Sequence, residues 1–159
     1  MPKEAKPAAG VTRVLFVCTG NICRSPLAEA IFLHQAREAG RAGEFEVDSA
    51  GTHDYHEGER ADARARRVGA ARGMDVASIA REVRSSDFER FDLILALDRG
   101  HLRELRGRCP EALRERIRLL GEFTAGGGDV PDPYYQDQRA FEEVFELLDG
   151  YCRRLLAQI

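Results

Sequence analysis

The chain has 159 residues, enough for one domain with a substantial core. A net charge of −3 excludes a basic field that recruits nucleic acid, and no run approaches the ~20 apolar residues of a membrane span. Four cysteines (Cys18, Cys23, Cys109 and Cys152) fit no common zinc spacing, and with no apolar export signal they are expected as free thiols in a cytoplasmic protein.

Residues 1–10, MPKEAKPAAG, read as a flexible polar tail ahead of one domain over 11–159. Residues 12–18 are apolar and β-rich, a candidate buried strand. From Arg24 to about residue 39 the pattern is helical. Pro26 suits its first turn, and Leu27, Ala30, Ile31 and His34 share a face. Residues 44–49 read as a second strand, ended by Ala50 and Gly51. Residues 60–72 read as a helix stopped by Gly73, with Arg64, Arg66 and Arg67 on a solvated face. Residues 91–97 form a third strand, and Asp98 reads as the N-cap of a helix reaching about Arg106, with Gly107 at its end. Residues 116–120 are a short fourth strand, and 121–137, holding Gly126-Gly127-Gly128 and two prolines, a loop. In the last helix Phe141, Val144, Phe145, Leu148, Cys152 and Leu155 make one apolar stripe.

Strands alternating with helices predict an α/β domain, a parallel sheet with helices on both faces. Ligands in such folds bind at the carboxyl ends of strands. The stretch VCTGNICRSP sits at the end of the first strand and opens the first helix. Its spacing is C-x5-R, from Cys18 through Thr19, Gly20, Asn21, Ile22 and Cys23 to Arg24. A loop entering a helix N-terminus turns several N–H groups the same way and cradles an anion. Gly20, and Asn21 in a left-handed conformation, let the backbone curl. The same donors hold a thiolate at Cys18, Arg24 offers a fork for two phosphate oxygens, and Ser25 offers a hydroxyl to the sulfur. This is a nucleophile set against a bound phosphoryl group. No GxxxxGK[ST] occurs, which excludes a Walker loop.

A leaving group also needs a proton. Asp132 lies between Pro131 and Pro133, in a cluster with Asp129, Tyr134 and Tyr135. The prolines restrict its backbone, and a nearby thiolate and phosphate dianion favour its protonated form. Tyr134 and Tyr135 suit the walls of a slot for a phenyl ring. His34, His53, His56 and His101 form no metal spacing; His53 and His56 flank Tyr55 and are candidates for substrate contact.

VCTGNICRSPLAEA followed far downstream by DPYY resembles the low molecular weight protein tyrosine phosphatases. VDSAGT, Ala80-Arg81-Glu82-Val83 and FDLILALD fall in the family's order, so the resemblance runs from about Arg13 to Leu156. It implies a single three-layer domain around a four-stranded parallel sheet of order 2-1-3-4, with no metal or other cofactor. It implies that Cys18 becomes phosphocysteine, that Arg24 binds phosphate and stabilises the transition state, and that Asp132 protonates the phenolate and then activates water. Ser25 would assist the thiolate and Asn21 hold the loop's shape. Tyr55 matches a variable aromatic lining the specificity wall opposite Tyr134 and Tyr135. The implied substrates are phosphotyrosine proteins or small aryl phosphates, with inorganic phosphate as product. Relatives often carry His where this chain has Ser78; that His belongs to the hydrogen-bond network around the Ser25 position, and the Ser78 hydroxyl is the expected substitute.

Three rival readings remain at this point. An arsenate reductase on the same fold needs two further cysteines to relay a disulfide, and Cys109 and Cys152 lie far apart in sequence. Protein-arginine phosphatases tend to carry Thr where this chain has Ile22 and to lack tyrosine after Asp-Pro. A non-catalytic phosphate-binding module needs neither the thiol nor the acid. Cys23 either packs beneath the loop or forms a reversible disulfide with Cys18 that protects the nucleophile.

Overall fold

In the computed structural model, which describes residues 11–159, the run Thr12–Cys18 forms strand β1 inside a four-stranded parallel sheet. Val14 to Val17 have no exposed surface, as befits a strand covered on both faces. Strands β2 (Phe45–Gly51) and β3 (Leu93–Ala96) flank it, and β4 (Ile117–Leu119) pairs with β3, so the order is 2-1-3-4. Cys18 pairs with Gly51, and Val17 with both Ala50 and Ala96, which brings the carboxyl ends of three strands together. The tail expected at residues 1–10 lies outside the described residues.

Successive side chains of a strand face opposite ways and so build two cores. Val14, Phe16 and Leu95 pack with helices α1 (Arg24–Glu38), α2 (Ala63–Ala71) and α5 (Gln138–Gln158), and the whole expected stripe of the last helix is buried there. Leu15, Val17, Ile94 and Ala96 face the other core, under α3 (Asp87–Arg90) and α4 (Arg99–Arg108).

Element ends depart from the sequence pattern for local reasons. Helix α2 begins at Ala63, not residue 60, because Arg60 bridges to Ile79 and Asp62 caps the helix with its side chain. Gly73 follows with φ 77°, the stop expected of it. Helix α4 runs through Gly107 to Arg108 and ends at Cys109, which the following Pro110 keeps out of helical space. Strand β2 takes in Ala50 and Gly51. Helix α3 and the 3-10 turns Ala42–Glu44, Glu111–Arg116 and Leu120–Phe123 are too short to show a period, and the last takes in Leu120 of the expected strand and the start of the stretch expected as loop.

Gly51 ties the sheet to the loop that follows β1. A Cβ there would lie 2.6 Å from the Thr19 carbonyl oxygen and 3.2 Å from the Asn21 nitrogen. Both neighbours are backbone and cannot swing away. Gly51→Ala is therefore expected to cost about 1–3 kcal/mol of stability through overpacking. Denaturant unfolding measures this, and a wild-type curve would contradict the packing.

Candidate active site

Residues 19–23 connect β1 to α1. Among the described residues, Asn21 is the one non-glycine with positive φ, at 59°. Its side chain holds it there. Nδ2 donates to Ser25 Oγ at 2.8 Å and to Ser49 Oγ at 3.0 Å, and Oδ1 accepts from the Arg81 N–H at 3.0 Å. The loop's carbonyl groups are bound from outside: Thr52, His53 and Asp62 N–H groups donate to the oxygens of Cys18, Thr19 and Ile22. Among the described residues, the N–H groups of Thr19 to Cys23 have no protein acceptor. Asp62, Asp98 and Asp137 cap α2, α4 and α5 with their side chains, whereas α1, with Cys23 at its N-cap, has no side-chain cap. Its free donors and positive dipole end are thus left for an anion. Gly20 serves close approach rather than positive φ, since a Cβ there would meet His56 Cδ2 at 2.9 Å.

Cys18 is buried at the loop's start, its Sγ 3.0 Å from Ser25 Oγ. Arg24 is only 4% exposed, and a buried guanidinium needs partners. Its Nη1 donates to Asp98 Oδ2 and to the Val130 carbonyl, each at 2.9 Å. Nη2 lies 3.8 Å from Asp132 Oδ2, an ion-pair contact too long for a hydrogen bond and open to competition from a phosphate oxygen. Asp98 also caps α4, accepting from the His101 N–H at 2.9 Å. Burial pushes the Asp98 carboxyl up, but that N–H and Arg24 outweigh it and hold it below the usual range. His101 Nε2 meets Thr19 Oγ1 at 2.9 Å. Its Nδ1 is 3.1 Å from Asp98 Oδ1 without hydrogen-bond alignment. Burial first, and Arg24 second, push this imidazole down to about 4, so it is neutral near pH 7.

Asp132 stands at the rim, about half exposed, with Oδ1 accepting from the Tyr134 N–H at 3.0 Å. Oδ2 is left toward Arg24. The cleft, about 220 Å³, is lined by Cys18, Ile22 and Arg24 below and by Tyr55, Tyr134 and Tyr135 above. Tyr55 stacks on His53 at 4.8 Å, and Tyr134 meets Tyr135 edge-on at 4.9 Å. His56 also lines the cleft, so the loop around Tyr55 brings one of its two histidines to it.

Arg64 is not the solvated residue expected of it. It grips Asp62 through Nε and Nη2 (3.0 and 2.9 Å) and donates to the carbonyls of Tyr134 (2.9 Å) and Gln136 (2.6 Å). It also covers the Tyr134 and Phe141 rings, at 5.6 and 4.4 Å. Asp62, through its N–H on Ile22, ties this clamp to the cradle. His101 and Arg64 carry no local motif, and the motifs that hold Ser49 and Asp98 do not show their contacts with Asn21 and Arg24; the partners lie up to 82 residues away, as with Thr19 and His101.

Other expectations change. Ser78 does not join the Ser25 network: its Oγ is buried without a hydrogen-bond partner. Ser49 and Glu29 extend that network instead, Ser49 Oγ donating to Glu29 Oε1 at 2.6 Å. Asp129 is drawn to Arg99, accepting from its N–H at 3.0 Å. Cys109 and Cys152 sit on opposite faces of the sheet, away from the cleft, and burial pushes both thiols up. They cannot relay a disulfide from Cys18. All four cysteines are free.

Fold and loop together place the chain among phosphatases built on a C-x5-R cradle. The family profile described as "Low molecular weight phosphotyrosine protein phosphatase" matches residues 13–159. A low molecular weight protein-tyrosine-phosphatase of Streptomyces coelicolor is 48% identical, covering 92% of this chain and 93% of its own length. The crystal structure of a protein tyrosine phosphatase from Entamoeba histolytica is 44% identical with a TM-score of 0.89, covering 92% of this chain and 96% of that one. The YwlE arginine phosphatase is more distant in sequence, 27% identical at a TM-score of 0.86, over 92% of this chain and 95% of that one. The chain belongs to the low molecular weight phosphotyrosine protein phosphatase family and is a phosphatase.

Arg64→Ala is expected to loosen the 132–136 loop and to lower kcat/KM for aryl phosphates roughly tenfold or more. Arg64→Lys should not restore it, because an ammonium has three donors on one nitrogen and cannot replace a planar fork that makes four hydrogen bonds, two of them to one carboxylate. A wild-type kcat/KM in Arg64→Ala would show that the clamp has no bearing on the site.

Proposed function

We propose that the enzyme hydrolyses phosphotyrosine and other aryl phosphate monoesters through a phosphocysteine at Cys18. The observation that carries this reading is the 3.0 Å contact of Cys18 Sγ with Ser25 Oγ beneath an uncapped ring of N–H groups, with Asp132 across the same cleft. The thiolate attacks phosphorus as the phosphorus–oxygen bond to the aryl group breaks. Ser25 steadies the sulfur. Arg24 and the N–H groups of Thr19 to Cys23 hold the equatorial oxygens, where charge persists through the transition state. Asp132 gives its proton to the departing phenolate. The resulting carboxylate takes a proton from water, which attacks phosphorus, breaks the phosphorus–sulfur bond and releases inorganic phosphate and the thiolate.

Ile22 with Tyr55, Tyr134 and Tyr135 makes an apolar slot suited to a phenyl ring rather than a guanidinium. Tyr55 and Tyr135 are 66% and 91% exposed, which suits a slot that receives a phosphotyrosine from a protein chain as well as a small aryl phosphate. A cytoplasmic setting fits four free thiols. No helix among the described residues is long and apolar enough to cross a membrane. Cys23 belongs to the core cluster, and burial, then Cys18, push its thiol up, which favours packing over the guard disulfide.

Turnover of p-nitrophenyl phosphate tests the reading. Wild type should turn over and Cys18→Ser should not; an active Cys18→Ser would sink it. Asp132→Asn should slow phenyl phosphate more than p-nitrophenyl phosphate, whose leaving group needs no proton. Equal losses would remove Asp132 from the acid's role.

A further inference from the structure

We propose that the cavity between α1 and residues 73–78 is a second ligand site, for a small organic ammonium ion, coupled to Cys18 through Glu29. The cavity measures about 360 Å³ and is separate from the catalytic cleft. Glu29 and Ala30 line it from α1 together with Leu33, and Met74, Asp75 and Ser78 line it from the other side. Two polar groups in this wall lack what they need. Ser78 Oγ is buried with no hydrogen-bond partner. Glu29 has no ion-pair partner among the described residues, although burial makes its charge costly.

The charges around Glu29 do not cure this. Arg81 is spent on Asp87 and Asp48, at 2.9–3.2 Å. Asp48 and Asp75 are of like charge. His34 and Arg37 also line the cavity from α1; His34 pairs with Glu38 at 3.2 Å, and Arg37 is exposed at the helix end. Burial therefore raises the Glu29 carboxyl to about 7, against the hydrogen bond from Ser49. An ammonium ion offers several N–H donors, enough for both Glu29 and Ser78. Leu33, Ala30 and Met74 give its hydrocarbon part an apolar bed. Acid, orphan hydroxyl and apolar wall in one cavity thus suit a cation with a carbon body, seated at the Glu29–Ser78 end away from the exposed Arg37.

The coupling is a continuous chain of hydrogen bonds. Ser49 Oγ donates to Glu29 (2.6 Å) and accepts from Asn21 (3.0 Å); Asn21 also donates to Ser25 (2.8 Å), which lies 3.0 Å from Cys18 Sγ. An ionised Glu29 can only accept, so Ser49 donates to it and keeps a lone pair for Asn21. A protonated Glu29 gains a donor; with the proton on Oε1 it donates to Ser49 instead, so the Ser49 hydrogen must find another acceptor and its oxygen receives two donors. A cation that keeps Glu29 ionised therefore keeps Asn21 and Ser25 set for the thiolate.

Benzylammonium, with benzyl alcohol as its uncharged counterpart, is the probe. Binding to the whole chain is read by amide chemical-shift changes, with saturating inorganic phosphate in the catalytic cleft. Benzylammonium should bind at least roughly tenfold more tightly than benzyl alcohol, with shifts in α1 and residues 73–78. Its affinity should fall as pH is lowered through about 7, as Glu29 takes up a proton. Glu29→Gln should erase the preference and that pH dependence while leaving any contribution of His34 in place. In turnover at pH 6, benzylammonium should raise kcat/KM of wild type and not of Glu29→Gln. Equal binding of the two probes, binding indifferent to Glu29→Gln, or shifts confined to the cleft would overturn the proposal. Should Glu29→Gln fail to fold, Ser78→Leu fills the cavity from the opposite wall; benzylammonium binding that survives it would overturn the proposal too. Binding is read apart from turnover, so failure of this site leaves the phosphatase reading untouched.

Discussion

Everything at the site depends on Asn21 being held in a left-handed backbone conformation. For a residue with a Cβ that conformation costs roughly 1–2 kcal/mol. The cost is offset by three hydrogen bonds made by the side chain of a residue that is only 1% exposed, to α1, to β2 and to the segment after α2. These partners come from three separate parts of the chain, so the loop takes its shape only when the domain is folded. With Asn21 fixed, the loop carbonyls meet their donors outside and the N–H groups are left for the centre. The glycine at 51 completes the arrangement by giving that backbone room.

Charge is arranged with the same economy. Arg24 is buried, and Asp98 and the Val130 carbonyl hold one edge of its guanidinium rigidly. Asp98 does this with one oxygen while the other caps α4, so the helix that starts beyond β3 and the Arg24 guanidinium are set by one carboxylate. His101 is neutral there, and it steadies Thr19 without adding a second fixed positive charge beside Arg24. The rim carboxyl of Asp132 is close enough to Arg24 to be attracted and far enough to move aside.

The strand–loop–helix order and the C-x5-R spacing were readable from residue identities, because hydrophobic period and turn chemistry are local. The conditional expectation for Asn21 is met by its φ of 59°. The cap at Asp98 was readable for the same reason, but its grip on Arg24 was not, since 74 residues separate the two. Arg64 looked solvated because helical periodicity reports which residues leave the helix's own core face, not which loops lie over the other face. Ser78 was illegible for a different reason: residue type shows that a hydroxyl can hydrogen-bond, not whether the fold puts a partner beside it. Residue type was legible throughout, while distance between remote segments was not.

In the proposed reaction Cys18 carries the phosphoryl group between two chemical steps. Acid quench during steady-state turnover of an aryl phosphate, followed by peptide mass analysis, tests it directly. One phosphoryl adduct is expected, on the Cys18 sulfur, and it disappears when substrate is exhausted. Turnover with no adduct at any quench time, or an adduct on another residue, would contradict it.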